Sequence, residues 1–134
     1  MVLDLNKQVI HRKKYDLITC TEVIEHLYNS KKLLKDCYNL LNDNGILIIT
    51  TPNNQNWFSR LYFLLNGNLP AITPHKDHIN PIFTWQLERL IRDLFNIEHI
   101  TFNRSVTPLI HINLPIKNLL FGQNIIIVLR KVRN

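Results

Sequence analysis

Apolar positions fall along this chain in short solid runs alternating with spaced stripes. Asp16–Cys20, Ile46–Thr50 and Ile125–Leu129 are mostly apolar runs bounded by turn-forming residues, the pattern of strands buried on both faces. Ile97–Phe102 predicts a further strand. Leu33, Leu34, Cys37, Leu40 and Leu41 recur at helical spacing and predict a helix over Lys31–Leu41, with Ser30 as its N-cap. Asn42-Asp43-Asn44-Gly45 ends it, with Gly45 expected in the left-handed conformation. A second stripe, Leu87, Leu90, Ile91, Leu94 and Phe95, follows Thr84 as N-cap. Strands alternating with helices make an α/β domain with a parallel sheet, and 134 residues suit one domain.

The remaining segments are less regular. Asn56–Leu65 is apolar on nearly every side; a helix of that kind is buried, covers a site or meets a partner. Val2–Asn6 is a short apolar run broken by Asp4, and residues 103–121, with Pro108 and Pro115, read as loop and short helix over the sheet.

Open parallel sheets bind ligands outside the carboxyl ends of their strands. Here those ends carry Cys20-Thr21-Glu22 and Thr51-Pro52-Asn53. Thr19-x-x-Glu22 fits a capping box opening a helical turn, which sets Glu22, Glu25 and His26 on one helical face. Pro74-His75-Lys76-Asp77-His78 is a second polar cluster. The net charge of +6 comes from scattered Lys and Arg, read as solvated surface rather than a nucleic-acid interface. No apolar run approaches the roughly 18 residues of a membrane helix, residues 1–10 lack a secretory core, and Cys20 and Cys37 form no disulfide scaffold. A cytoplasmic protein with no transmembrane segment is expected.

The run Tyr15-Asp-Leu-Ile-Thr-Cys-Thr-Glu-Val-Ile-Glu-His-Leu27, the Leu-rich helix after it, and Gly45-Ile-Leu-Ile-Ile-Thr-Thr-Pro-Asn53 closely resemble the class I, Rossmann-like S-adenosylmethionine-dependent methyltransferases. The likeness continues through His78-Ile79-Asn80, Phe83-Thr84 and the last strand. It implies a mostly parallel methyltransferase sheet, with Ile125–Leu129 antiparallel between the other two carboxyl-terminal strands. It implies S-adenosylmethionine as cofactor, and Asp4, Leu5, Cys20, Thr21 and Glu22 as the cofactor-binding residues, Asp4 toward the adenine amino group. His26 is the implied base near the transferred methyl group.

One family element has no counterpart: the glycines stand at 45, 67 and 122, none in a Gly-x-Gly-x-Gly loop after a strand. The chain reads as an apparently truncated single methyltransferase domain, 1–134, beginning near the family's third strand, with an upstream half or a homo-oligomer as expected partner. The reading adopted is a methyltransferase, or its carboxyl-terminal fragment, acting on a small-molecule acceptor, with no metal assigned. Two alternatives stand beside it. One is a non-catalytic remnant or accessory subunit. The other is a metal-assisted RNA 2′-O-methyltransferase, because small-RNA methyltransferases similar to this chain bind a divalent metal through side chains matching Glu22, Glu25, His26 and either His75 or His78.

Overall fold

The computed structural model describes residues 5–7, 13–72, 76–103, 105–106, 113–114 and 116–132. Strand β1 (Tyr15–Thr21) runs into a single 3-10 turn at Ile24–His26, and helix α1 (Ser30–Leu40) then carries the chain back. Strand β2 (Leu41–Pro52) pairs parallel with β1, from Leu17 opposite Ile46 to Thr21 opposite Thr50. Helix α2 (Trp57–Asn66) follows, then α3 (Thr84–Ile91) and strand β3 (Phe95–Phe102). The two-residue strands β4 (Ser105–Val106) and β5 (Asn113–Leu114) pair with each other, and β6 (Asn124–Lys131) closes the main sheet. Its order is β1-β2-β6-β3, with β6 antiparallel to both neighbours. That is the topology the resemblance implied. No helix among the described residues is long and apolar enough to cross a membrane.

Local details differ from the sequence expectation. Helix α1 is capped by Asn29, whose side chain accepts from the Lys32 N–H at 3.0 Å; Ser30 is already helical and buried. Asn44, with φ 61°, takes the left-handed conformation in place of Gly45. Gly45 is needed for space instead, since a Cβ there would meet the Asn42 carbonyl at 2.9 Å. Phe83, rather than Thr84, stands at the N-cap of α3. The Thr84 N–H and hydroxyl both donate to the Gln55 side-chain oxygen at 2.8 Å, so a distant loop ends this helix. Phe95 leaves that helix's stripe and opens β3. Between β3 and β6 the described residues form a strand pair and a turn where a short helix was expected.

Helices α1 and α3 contact each other over one face of the sheet. Leu33, Leu34 and Cys37 of α1 and Leu87 and Ile91 of α3 meet Leu47, Ile49, Ile125, Ile127 and Leu129 from the strands, all buried. Each such side chain contributes about 1.5–3 kcal/mol by leaving water. The alternate residues Ile46, Ile48, Ile126 and Val128 point to the other face and are half-buried. This packing holds the carboxyl ends of β1 and β2 side by side.

Candidate functional site

The site begins where β1 ends. Glu22 has φ 52°, a left-handed conformation uncommon outside glycine, and its neighbours hold it there. Its N–H donates to the Thr50 carbonyl at 3.1 Å and lies 3.2 Å from the Thr50 hydroxyl oxygen. Its carboxylate accepts from that hydroxyl at 2.9 Å and from the Asn124 side-chain amide at 3.1 Å. The carboxylate is thereby pinned across β2 to the first residue of β6. The expected capping box does not form, because these tertiary hydrogen bonds take the Glu22 side chain away from the following turn.

Glu25 and His26 lie in the 3-10 turn. Glu25 is only 2% exposed. One carboxylate oxygen accepts from the buried Thr51 hydroxyl at 3.2 Å, and the other, Oε1, has no hydrogen-bond partner among the described residues. Burial pushes the Glu25 carboxyl above the usual range, with the nearby Glu22 charge adding to the rise. The Glu25 carbonyl accepts from Ile79 and Asn80 N–H groups at 3.1 and 3.0 Å, and the Asn80 amide donates to Ser30 Oγ at 2.6 Å. These bonds strap residues 76–80 across the turn.

That strap delivers the second polar cluster to the site. His26 Nδ1 lies 3.1 Å from the Asp77 carbonyl and 3.3 Å from its carboxylate. Both neighbours are acceptors, so Nδ1 carries the hydrogen, and the tautomer that suits them has its lone pair on Nε2. His78 Nδ1 lies 2.7 Å from the Ala71 carbonyl. The two rings meet edge to face, centroids 4.5 Å apart. Glu25, His26 and His78 each bring one oxygen or nitrogen within 4.8 Å of the others.

The residues expected at the cofactor are spread out. Thr21 is exposed at the strand end. Cys20 is buried, its sulfur 3.9 Å from that of Cys37, so its thiol faces helix α1. The Cys37 thiol is pushed far up by its hydrogen bond to Cys20 and by burial, which keeps it protonated and structural. Leu5 packs half-buried against the core. Asp4 and His75 lie outside the described residues. Glu22 does not share a helical face with Glu25 and His26. Thr51 and Asn53, placed by the sequence at the ligand end of the sheet, act as supports there, joined by Thr50 and Asn124, which the sequence reading passed over. The buried Asn53 side chain donates to the Leu119 and Gly122 carbonyls at 2.7 Å, tying the β2 exit to the β6 entry. Their signal was polar residues directly at the end or start of an apolar strand run.

A cleft of about 260 Å³ opens over the ends of β2 and β6. Trp57, Phe58 and Phe121 wall it, and the amides of Asn56, Gln123 and Asn124 line it. Asn124 also donates to Glu22, and Ala71, another lining residue, lies against His78. The cleft thus abuts both polar clusters.

A family profile described as "Methyltransferase domain" matches residues 4–102. Among curated proteins, the chain is 43% identical over 54 residues to a ubiquinone biosynthesis O-methyltransferase of Glaesserella parasuis, covering 39% of this chain and 23% of that protein. It is 32% identical over 68 residues to the mitochondrial ubiquinone biosynthesis O-methyltransferase of Saccharomyces cerevisiae, covering 48% and 21%. Among solved structures, an S-adenosylmethionine-dependent methyltransferase of Thermotoga maritima, possibly a histamine N-methyltransferase, superposes with TM-score 0.68 at 16% identity, over 96% of this chain and 61% of that one. The N-methyltransferase NodS of Bradyrhizobium japonicum, in complex with S-adenosyl-L-homocysteine, superposes with TM-score 0.57 at 10% identity, over 98% and 53%. The match spans under a quarter of these curated relatives and a little over half of the solved chains.

Proposed function

The chain belongs to the methyltransferase-domain family, and from that premise we propose that it serves methyl transfer from S-adenosylmethionine to a small-molecule acceptor through an oxygen atom. One observation carries the reading: on the methyltransferase sheet, the carboxyl end of β1 gathers Glu22, Glu25 and His26 beside a cleft with aromatic walls. The choice of oxygen follows the relatives above 30% identity, which are named O-methyltransferases.

The donor set suits the cofactor. S-adenosylmethionine supplies an electrophilic methyl group on a positively charged sulfur, and the half-buried Glu22 carboxylate lies at the strand end where such a cation is matched. Glu22 holds its position through Thr50 and Asn124, so the cofactor's side of the cleft and the acceptor's side are joined by one hydrogen-bonded network. Thr21 and the main chain of Cys20 complete that wall, with Asp4 and Leu5 assigned to the adenine end.

Methyl transfer by in-line displacement depends on alignment and on loss of the acceptor proton. His26 is the residue for the second task. Asp77 holds Nδ1–H, leaving Nε2 to receive a proton, an orienter-and-base arrangement. Trp57, Phe58 and Phe121 give a flat acceptor apolar walls and exclude water from it.

The test is release of S-adenosylhomocysteine by the purified chain at saturating S-adenosylmethionine, with hydroxylated aromatic acceptors. His26→Ala is expected to lower kcat about 10²- to 10⁴-fold while the melting temperature is kept. No release by the wild type, alone or combined with an upstream cofactor-loop half, or equal turnover by His26→Ala, would overturn the reading.

A further inference from the structure

Helix α2 borders a second cavity besides the cleft. It measures about 290 Å³ and is lined by Asn54, Ser59, Arg60, Phe63, Leu69 and Phe83. Of these, only Ser59 also lines the cleft that Trp57, Phe58 and Phe121 wall. We propose that this second cavity binds a small, uncharged, apolar molecule bearing one O–H or N–H group, apart from the acceptor cleft.

The walls set the body of the ligand. Phe63, Leu69 and Phe83 give it apolar surface on several sides. Phe63 is 54% exposed, so a molecule lying against it removes apolar surface from water. Phe83 is backed by Trp85, stacked with ring centroids 6.2 Å apart, which fixes the flat side of the cavity.

Asn54 sets the polar group. Its side chain is buried, and its amide nitrogen lies 3.2 Å from the Ile82 carbonyl and 3.5 Å from that of Pro52. Both are acceptors, so the amide is oriented with its nitrogen toward them. The remaining atom, Oδ1, is buried and accepts from no group among the described residues. A buried amide oxygen calls for a donor, and a ligand hydroxyl or N–H supplies one. The other lining groups argue against a charged ligand. The Ser59 hydroxyl donates to the Asn53 carbonyl, and Arg60, exposed to water, donates Nε–H to the Gln55 carbonyl. A carboxylate set against Asn54 would face an oxygen that cannot donate. A cation would find no acidic side chain in the lining.

This inference is independent of methyl transfer, and its test needs no cofactor. Indole carries a ring N–H, and benzofuran has nearly the same shape without it. The full chain is titrated with each and followed by saturation-transfer difference NMR. Indole is expected to bind at millimolar concentration, and benzofuran about two- to tenfold more weakly. Phe63→Ala is expected to weaken indole binding about tenfold. Leu64→Ala, exposed on the same helix but outside the cavity, is expected to leave it unchanged. Circular dichroism checks that both variants fold, and the comparison of indole with benzofuran needs no variant. No transfer to indole in the folded wild type, equal affinity for benzofuran, or full binding by a folded Phe63→Ala overturns the proposal. Binding that falls with Phe121→Ala instead puts the molecule in the cleft and overturns it as well.

Discussion

At the scale of single residues, the acids at the end of β1 are governed by hydroxyls and amides from the neighbouring strands. Glu22 tolerates a left-handed backbone, which costs about 1–2 kcal/mol for an L-residue, because Thr50 and Asn124 bind its main chain and carboxylate. Glu25 is buried more deeply and relies on the fully buried Thr51 hydroxyl. Thr51→Val keeps shape and removes that donor, leaving a buried carboxylate without a hydroxyl partner. It is expected to destabilise the chain by about 1–3 kcal/mol, read as a shift of the urea midpoint. A midpoint matching wild type would show that the Thr51–Glu25 contact contributes nothing.

At the scale of elements, α1 is the crossover that sets β1 and β2 parallel, so its ends decide where the site falls. Its N-terminus is closed by the Asn29 side chain, and a half-buried charged pair, Lys32 with Asp36 at 2.7 Å, lies along its flank. An i,i+4 pair of that kind contributes about 0.3–0.5 kcal/mol, whereas an N-cap satisfies an otherwise unpaired backbone N–H. Asn29→Ala is therefore expected to cost about 0.5–2 kcal/mol, and Lys32→Ala clearly less. Chemical denaturation of both variants checks the order, and a larger loss for Lys32→Ala reverses it. Helix α2 behaves differently. Its first turn lines the cleft while Phe63, Leu64 and Leu65 beyond it stand exposed.

At the scale of the whole molecule, the sheet order places β1 at one margin with pairing on one side only among the described residues. Leu17 is 53% exposed there, and the half-buried Ile46, Ile48, Ile126 and Val128 continue an apolar face from it. Unpaired backbone along an apolar strand is a template for association. The chain expressed alone is expected to self-associate, and Leu17→Lys, which places a charge on that margin, to reduce it. Light scattering at several concentrations is the measurement. A monodisperse wild-type monomer with a cooperative melt would sink this expectation.

The main elements were legible in the sequence because they rest on patterns that local chemistry enforces. Ile46–Thr50 and Ile125–Leu129 must be strands, since solid apolar runs between turn residues have nowhere to lie but inside a sheet. The Leu33–Leu41 stripe must be a helix against them. The place of β6 between β2 and β3 was implied by resemblance, as no periodicity specifies a partner strand. Only the tertiary structure decided the site. Glu22 parted from Glu25 and His26 because Thr50 and Asn124, remote in sequence, bind its carboxylate better than a local turn can. His78 joined them because Asn80 and Ile79 hydrogen-bond to the Glu25 turn. Gln55 likewise took over the start of α3. Each of these is a hydrogen bond between distant segments, whose partner is chosen by how the core packs and by nothing in the residues on either side.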